Sequence, residues 1–330
     1  MKAIRYYEFG EPASVLKLED VPDPEIKPNE VLVKITARSI NPSDIYTIKG
    51  TYGIRPRLPA IPGNEASGVI VEAGSEVKNY QKGQRVTLML GASGTSGTWK
   101  ELIAVRPEFI IKTPNYLSDA ESTTIFVNYL TAWILAFEEL DLKEGEKLLM
   151  TAANSHLGRA MLQLSAWKGF KVVATVRQES QKDELLFLGA QDVIVTDTEN
   201  IVKRARRLTN AKGFNKAIDA VGGKIGSEAL LTLAPKGKMI VYGLMSNEPI
   251  TVTGSIIFTE ATIRGFWLVK WIEGKTPEQI SEVINKIGDL FKEGILKSHI
   301  DSSFDLTNVE GYISRTLAPG KKGKVVITSS

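Results

Sequence analysis

The sequence predicts an α/β chain in which a doubly wound parallel sheet is joined to a second, β-rich domain. Three observations carry that prediction. The stretch from Lys147 to Arg177, KLLMTAANSHLGRAMLQLSAWKGFKVVATVR, reads as strand, tight turn, helix and strand, a βαβ unit that favours a parallel sheet. Further strand-like runs recur after it, with helical segments between them. Residues 1 to about 120 instead show short strands broken by prolines and glycines. At 330 residues the chain exceeds one typical domain, so two separate cores are expected.

Taken in order, VLVKITA at 31–37, GVIVE at 68–72 and QRVTLML at 84–90 are the clearest early strands. Pro22, Pro24 and Pro28 come before the first of these and Pro42, Pro56, Pro59 and Pro62 between the first two, and long irregular connections of this kind are often functional. Ser118 then opens SDAESTTIFVNYLTAWILAFEEL, with Glu121 at capping-box spacing, and helical periodicity runs to Leu140. In the βαβ unit, Leu148 to Met150 form the apolar strand, while Leu157, Met161, Leu164 and Trp167 recur at helical spacing and Gly169 supplies the stop. Strands follow at DVIVT 192–196, NKAID 215–219, GKMIVY 237–242 and TIRGFW 262–267. With the first two they make six, the number in a complete dinucleotide-binding sheet. A helix is expected from Pro277 to Lys292, and GKVVIT at 323–328 is a strand with no helix after it, suited to return to the first domain's sheet. The expected boundaries are therefore 1–120 with 269–330 for the β-rich domain and 121–268 for the parallel sheet.

The turn of the βαβ unit sets backbone N–H groups and a helix N-terminus where a pyrophosphate can sit. Its glycine frame is sparse, since the three G-x-G-x-x-G positions are Ala153, Ser155 and Gly158. At the end of the second strand an NAD-binding chain normally carries Asp or Glu for the ribose hydroxyls; this one carries Arg177. Arg177 reads either as the clamp of a 2′-phosphate, making NADPH the cofactor, or as a solvated surface arginine.

Composition is that of a water-soluble globular protein, 43% hydrophobic and 24% charged. A net charge of +3 gives no case for nucleic acid, and the cluster Lys321, Lys322 and Lys324 reads as a solvated turn. Without any cysteine, disulfides, thiolate chemistry and sulfur-ligated zinc are excluded. The chain opens directly on strand-like MKAIRYYEFG and no apolar run reaches membrane-span length, so a cytoplasmic location with no membrane partner is expected.

Local patterns then coincide in order: INPSD at 40–44, GTYG at 50–53, PGNEASGVIVEAGSEV at 62–77, KGQRV at 82–86, GTW at 97–99, FVNYLTAW at 126–133, AANSHLG at 152–158, DAVGG at 219–223, YGLMS at 242–246 and RGFW at 264–267. Together they resemble the medium-chain dehydrogenase/reductase superfamily over essentially the whole length. The resemblance implies a Rossmann domain plus a GroES-like catalytic domain, an oxidoreductase activity and a homodimer joined through its nucleotide domains; TIRGFW permits such an exposed edge. Zinc members of the superfamily carry an early cysteine ligand and the histidine of a G-H-E pattern. Here that histidine position is Asn64, no cysteine exists, and His156 and His299 are the only histidines, so no metal site is expected. Of the zinc-free branches, the mitochondrial-type 2-enoyl thioester reductases are more similar than the quinone oxidoreductases, on NPSD, G-x-Y-G, GNE, GTW, VN-x-x-TA, A-x-NS-x-x-G and GFW.

That likeness implies Tyr52 as the catalytic residue, Trp267 beside the reaction site and Arg177 as the phosphate arginine. It further implies cofactor contacts from Asn128 and Thr131, from the turn Asn154, Ser155, His156 and Leu157, and from the strand ends Tyr242, Gly243, Met245 and Phe266. Two departures stand out, His156 where the family has glycine and Tyr129 where it has proline. His156 either donates to the pyrophosphate or points to solvent. Tyr129 is expected to reshape the cavity beside Asn128 and Thr131.

Reducing an α,β-unsaturated carbonyl needs a hydride at Cβ, a donor on the carbonyl oxygen and a proton for Cα. The neutral phenol of Tyr52 suits the second and third without an unusual pKa; its bland alternative is packing on the proline loop. Asn41 and Asn64 either orient ribose or substrate or brace their own turns. Trp267 walls the pocket or fills core, and Tyr242 and Met245 line the ligand edge or pack. Arg55, Arg57 and Lys270 either meet the phosphates of a pantetheine thioester or are solvated. The leading expectation is an NADPH-dependent reductase of activated double bonds, 2-enoyl thioesters first. NADPH:quinone oxidoreduction is the alternative, and a nucleotide-binding protein without relevant catalysis is the third.

Overall fold

The computed structural model describes residues 1–90 and 96–329. Two compact units divide the chain: Met1–Val127 with Ile272–Gly288 and Ser298–Ser330, and Asn128–Trp271 with Asp289–Lys297. The expected domain limits at 120 and 268 differ from these by a few residues. Asp289–Lys297, expected with the β-rich domain, belongs to the second unit. There the Tyr129 hydroxyl donates to the Lys297 carbonyl at 2.7 Å and the Tyr129 ring meets Phe291 edge-on at 4.8 Å.

The first unit contains β1 (Lys2–Arg5), β2 (Lys17–Asp20), β3 (Val31–Ser39), β4 (Glu65–Ala73), β5 (Arg85–Met89), β6 (Leu102–Val105) and β7 (Ile110–Lys112). The second contains β8 (Lys147–Met150), β9 (Lys171–Val176), β10 (Asp192–Val195), β11 (Phe214–Asp219), β12 (Leu233–Val241) and β13 (Thr262–Gly265). Two last strands, β14 (Ile300–Asp305) and β15 (Lys324–Thr328), return to the first unit. As the sequence suggests, β15 joins that unit's sheet, antiparallel to β3 with Val326 opposite Ser39. Its path runs β14-β15-β3-β4-β5-β7, and β6 pairs with β3. The alternating pattern of β3 places Val31, Val33 and Ile35 in one core with Ile70, Val86, Leu88 and Ile103.

The six strands of the second unit run in the order β10-β9-β8-β11-β12-β13, and every neighbouring pair is parallel. In sequence order this is 3-2-1-4-5-6, the doubly wound dinucleotide-binding arrangement, with its reversal between β8 and β11. Buried on both faces, β8 and β9 carry short, mainly apolar runs such as Leu148–Met150 and Val172–Val176. β13 ends at Gly265, so Phe266 and Trp267 lie beyond the strand expected at 262–267.

The helix expected from Ser118 to Leu140 is interrupted. Its start is as expected, with the Ser118 Oγ accepting from the Glu121 amide. After Ser122 the path reforms as a π-helical turn at Ile125–Tyr129, an α turn at Leu130–Trp133 and a second π segment at Ile134–Glu139. Three hydroxyls explain the break: Ser122, Thr123 and Thr124 donate back to the carbonyls of Asp119, Ala120 and Glu121 at 2.8, 2.9 and 2.7 Å. The helix Pro277–Lys292 forms as expected. No helix among the described residues is long and apolar enough to cross a membrane.

Candidate active site

In the first unit the chemistry gathers around the helix Pro42–Lys49, which follows β3. Pro42 opens it, and its C-terminus closes on Gly50 at φ 72°, a left-handed conformation suited to glycine. The amides of Thr51 and Tyr52 then donate to the Tyr46 carbonyl at 2.9 and 3.2 Å. Tyr52 is thereby a half-buried phenol on a turn tied to the helix's last turn. Arg55 is exposed and its Nε donates to the Gly50 carbonyl at 2.8 Å; Arg57 is exposed as well.

At the other end of this helix lies a buried polar cluster. The backbone amide of Asn41 donates to Asp44 Oδ2 at 2.7 Å, and Asn41 Nδ2 donates to Glu65 Oε1 at 2.7 Å. Lys324 Nζ, from β15, donates to Asn41 Oδ1. Asn64 Nδ2 donates to Asp44 Oδ1 at 2.7 Å and to Ser43 Oγ at 3.3 Å. Glu65 also accepts from Ser39 Oγ at 2.6 Å and from the Val127 amide at 2.9 Å. Burial pushes the carboxyls of Asp44 and Glu65 up and the Lys324 ammonium down, opposed by the attraction between the amine and both acids. Of the two readings of Asn41 and Asn64, the bracing of local structure is the one with hydrogen bonds behind it. Asp44 and Glu65 were not singled out from the sequence, and the solvated turn expected at Lys321, Lys322 and Lys324 is corrected for Lys324, which is buried at the start of β15 because its amine turns into this cluster. For Glu65 and Lys324 the signal is a charged residue beside an otherwise apolar strand pattern, as in NEASGVIV and GKVVIT.

In the second unit the candidate residues other than Asn128 and Thr131, which lie on helical turns, fall at or just beyond the carboxyl ends of the parallel strands. After β8, Ser155 caps the helix His156–Lys168, its Oγ accepting from the Gly158 amide at 3.1 Å. A Cβ on Gly158 would stand 2.3 Å from the Ala153 carbonyl oxygen, so glycine lets the helix approach the turn. Asn154 is half-buried and Leu157 buried in the same turn. His156 is buried, with its ring edge-on to Tyr129 at 5.4 Å. Pointing to solvent is therefore corrected: an imidazole packed on an aromatic face cannot also be solvated. Tyr129 itself turns inward, between His156 and Phe291, and the two departures from the family pattern touch each other. Asn128 and Thr131 are buried on the turns either side of it.

Arg177, just past β9, is exposed and forms no ion pair among the described residues. At the end of β12 the Tyr242 hydroxyl is buried without a hydrogen-bond partner among the described residues, and burial raises its pKa. A Cβ on Gly243 would meet the Ala220 carbonyl oxygen at 2.9 Å. Met245 is exposed, with its amide held by the same carbonyl at 3.0 Å. Beyond β13, the Phe266 amide donates to the Val241 carbonyl at 2.8 Å, Trp267 is half-buried and Lys270 is exposed. Sequence reasoning missed Asp219, which is fully buried beside the strand-order reversal and accepts from Thr151 Oγ1 at 2.6 Å and the Gly222 amide at 2.9 Å. The carboxylate clasps the ends of β8 and β11 where such sheets open to ligands. No cluster of three or more His, Cys, Asp or Glu among the described residues is placed to hold a metal ion.

Two family models match the chain, the alcohol dehydrogenase GroES-like domain over residues 27–115 and the zinc-binding dehydrogenase domain over residues 157–288. The mitochondrial enoyl-[acyl-carrier-protein] reductase of Homo sapiens is 32% identical over 336 residues, spanning 99% of this chain and 88% of the relative. A solved structure described as an NADPH:quinone reductase of Bacillus thuringiensis is 32% identical, with a TM-score of 0.92 and coverage of 100% of this chain and 99% of its own. The Escherichia coli quinone oxidoreductase, solved in complex with NADPH, also has a TM-score of 0.92, at 24% identity over 99% of this chain and 100% of its own, and speaks for the fold alone. With these relatives spanning its whole length, the chain belongs to the medium-chain dehydrogenase/reductase superfamily and is an oxidoreductase.

Proposed function

We propose that this protein is an NADPH-dependent, zinc-independent reductase of activated carbon–carbon double bonds, with trans-2-enoyl thioesters as its substrate class. The observation that carries the reading is Tyr52, a half-buried phenol on a turn hydrogen-bonded to a helix whose other end is pinned in a buried polar cluster. A phenol so held is prepared to donate to a carbonyl oxygen as negative charge develops there. The enoyl reductase relative, 32% identical over 99% of this chain, supports the thioester as substrate.

The second unit's residues fit a phosphorylated nicotinamide dinucleotide. Gly158 leaves room for close approach at the helix N-terminus, Arg177 offers an exposed fork to a 2′-phosphate, and the Tyr242 hydroxyl is buried with a hydrogen bond still to make. Bound there, NADPH would supply the hydride for Cβ. Asn154, Ser155, His156 and Leu157 would hold the pyrophosphate side and Asn128 and Thr131 the nicotinamide side, while Gly243, Met245 and Phe266 would line the cofactor at the strand ends. Tyr52 Oη would hold the carbonyl oxygen as hydride reaches Cβ and give its proton to Cα, the resulting phenolate then taking a proton from water, and Trp267 would wall the reaction site. Asn41 orients rather than reacts. Zinc independence is supported by the donor set: Asn64 in the P-G-N-E turn, no cysteine and only two histidines. A homodimer joined through the edge strand β13 completes the reading.

The quinone alternative is favoured by one observation, the 32% identity to the structure described as a quinone reductase. Turnover of NADPH, with NADH as control, against short and long trans-2-enoyl-CoA and against 1,4-benzoquinone separates the two. Tyr52→Phe is expected to lower enoyl-CoA turnover by about 100-fold, the scale of a lost proton donor, and to leave quinone turnover in place. Enoyl turnover equal to that of the unchanged protein sinks the role of Tyr52.

A further inference from the structure

The buried cluster of the first unit contains charges for which the proposed reaction has no use. Lys324, Asp44 and Glu65 are 5%, 1% and 0% exposed, and Asn41 between them is 1% exposed. Buried ion groups of this kind are weak contributors to stability compared with well-packed apolar side chains, so their presence asks for another reason.

We infer that Lys324 is a positioning residue for Tyr52, acting through Asn41 and the helix Pro42–Lys49; the inference rests on the reading of Tyr52 as proton donor. The geometry runs in one direction. The Lys324 ammonium takes the carbonyl end of the Asn41 amide, which leaves its NH2 end aimed at Glu65. With both ends fixed, the amide cannot flip, and the backbone amide of the same residue stays on Asp44 in the first turn of the helix. Nine residues after Asn41, Gly50 ends that helix and the Tyr52 amide bonds to the Tyr46 carbonyl in its last turn at 3.2 Å. A helix of this length is about 12 Å long and moves as a rod, so an error at its N-terminus reaches the phenol. Without the cation, Asp44 and Glu65 face each other with no positive charge beside them, and either a carboxyl takes up a proton or the first turn moves.

The test is a double-mutant cycle of Lys324→Met with Tyr52→Phe, read as kcat and KM for a trans-2-enoyl-CoA together with the NADPH dissociation constant. A phenol misplaced by about 1 Å costs on the order of 100-fold, so Lys324→Met is expected to lower kcat by about that factor. NADPH affinity should stay within about twofold, since its candidate residues lie in the other unit. In the Tyr52→Phe background the same change should cost less than about threefold, and Lys324→Arg should retain most activity. A kcat loss of equal size in both backgrounds, or an unchanged kcat in folded Lys324→Met, overturns the inference while leaving the reductase reading intact. A silent Tyr52→Phe takes down both. Should Lys324→Met fail to fold, Lys324→Met with Glu65→Gln removes the buried cation together with one of the two acids it attracts, so that less uncompensated charge stays buried. A kcat at the level of the unchanged protein in that variant overturns the inference, and the loss recurring with the same dependence on Tyr52 supports it.

Discussion

At the scale of single residues, Arg177 is where the sequence makes its sharpest chemical statement. It follows β9, whose last residue is Val176, and stands exposed with no carboxylate among the described residues engaging it. A guanidinium in that place gains little from the protein and is ready for a phosphate, with which it forms paired charge-assisted hydrogen bonds. Hydrogen bonds to charged groups are worth about 1.5–3 kcal/mol, so Arg177→Ala is expected to raise the KM for NADPH by about 10- to 100-fold. The KM for NADH, which lacks the 2′-phosphate, should hardly change. Steady-state kinetics with the two cofactors checks this, and an equal loss for both would return Arg177 to the solvated surface. His156 illustrates the opposite case. From the sequence it and Tyr129 are two separate departures from a family pattern, 27 positions apart; in the structure they are one edge-on aromatic contact. Nothing in the spacing of two residues on different elements announces that they touch.

At the scale of elements, β13 is the strand through which the proposed homodimer would form. It is an edge strand, paired only with β12, and the preceding helix Ser255–Thr259 exposes Ile257 at 73% and Phe258 at 87%. An unpaired strand edge beside exposed apolar side chains is a template for a second copy. Ile257→Asp with Phe258→Asp is expected to convert a dimer to a monomer by light scattering, with NADPH binding kept; an unchanged protein that already runs as a monomer refutes the pairing. The elements most legible in the sequence were of two kinds. Strands buried on both faces, β8 to β10, are mainly apolar runs bounded by turns, and the capping box at Ser118 states its helix start in the residues themselves. Less legible was β14, whose IDSSFD has no apolar alternation and is held by backbone pairing with β15. The break after Ser122 also escaped notice, because side chain to backbone bonding competes with a periodicity that continues unbroken. Of the site, single residues at strand ends could be read, while the cluster that braces Tyr52 could not: Lys324 and Asn41 are 283 positions apart and meet only through the pairing of β15 with β3.

At the scale of the whole molecule, acid tolerance follows from where the carboxylates sit. Asp301, in β14, accepts from Arg315 Nε at 2.7 Å and Nη2 at 2.6 Å, from the Lys322 amide at 2.9 Å and from Ser302 Oγ at 3.0 Å. The Arg315 hydrogen bonds foremost, with the amide and hydroxyl, hold its carboxyl down at about 2, against 3.8 when unperturbed. A carboxylate whose pKa is depressed in the folded state contributes stability that is complete above its unfolded pKa and is lost as pH falls toward the folded value. For Asp301 that window runs from about pH 4 down to about pH 2. Glu65 and Asp44 work in the other sense, since burial raises both, and acidification relieves the cost of keeping them charged. The acid limb of the stability profile should therefore depend strongly on Asp301. Asp301→Asn is expected to be less stable than the unchanged protein near neutral pH by an amount that is constant above about pH 5 and shrinks steadily between about pH 4 and pH 2. Urea unfolding followed at each pH measures the gap. If it stays constant down to pH 2, the bidentate pair with Arg315 does not set the proton affinity of Asp301, and acid sensitivity must arise from another carboxylate.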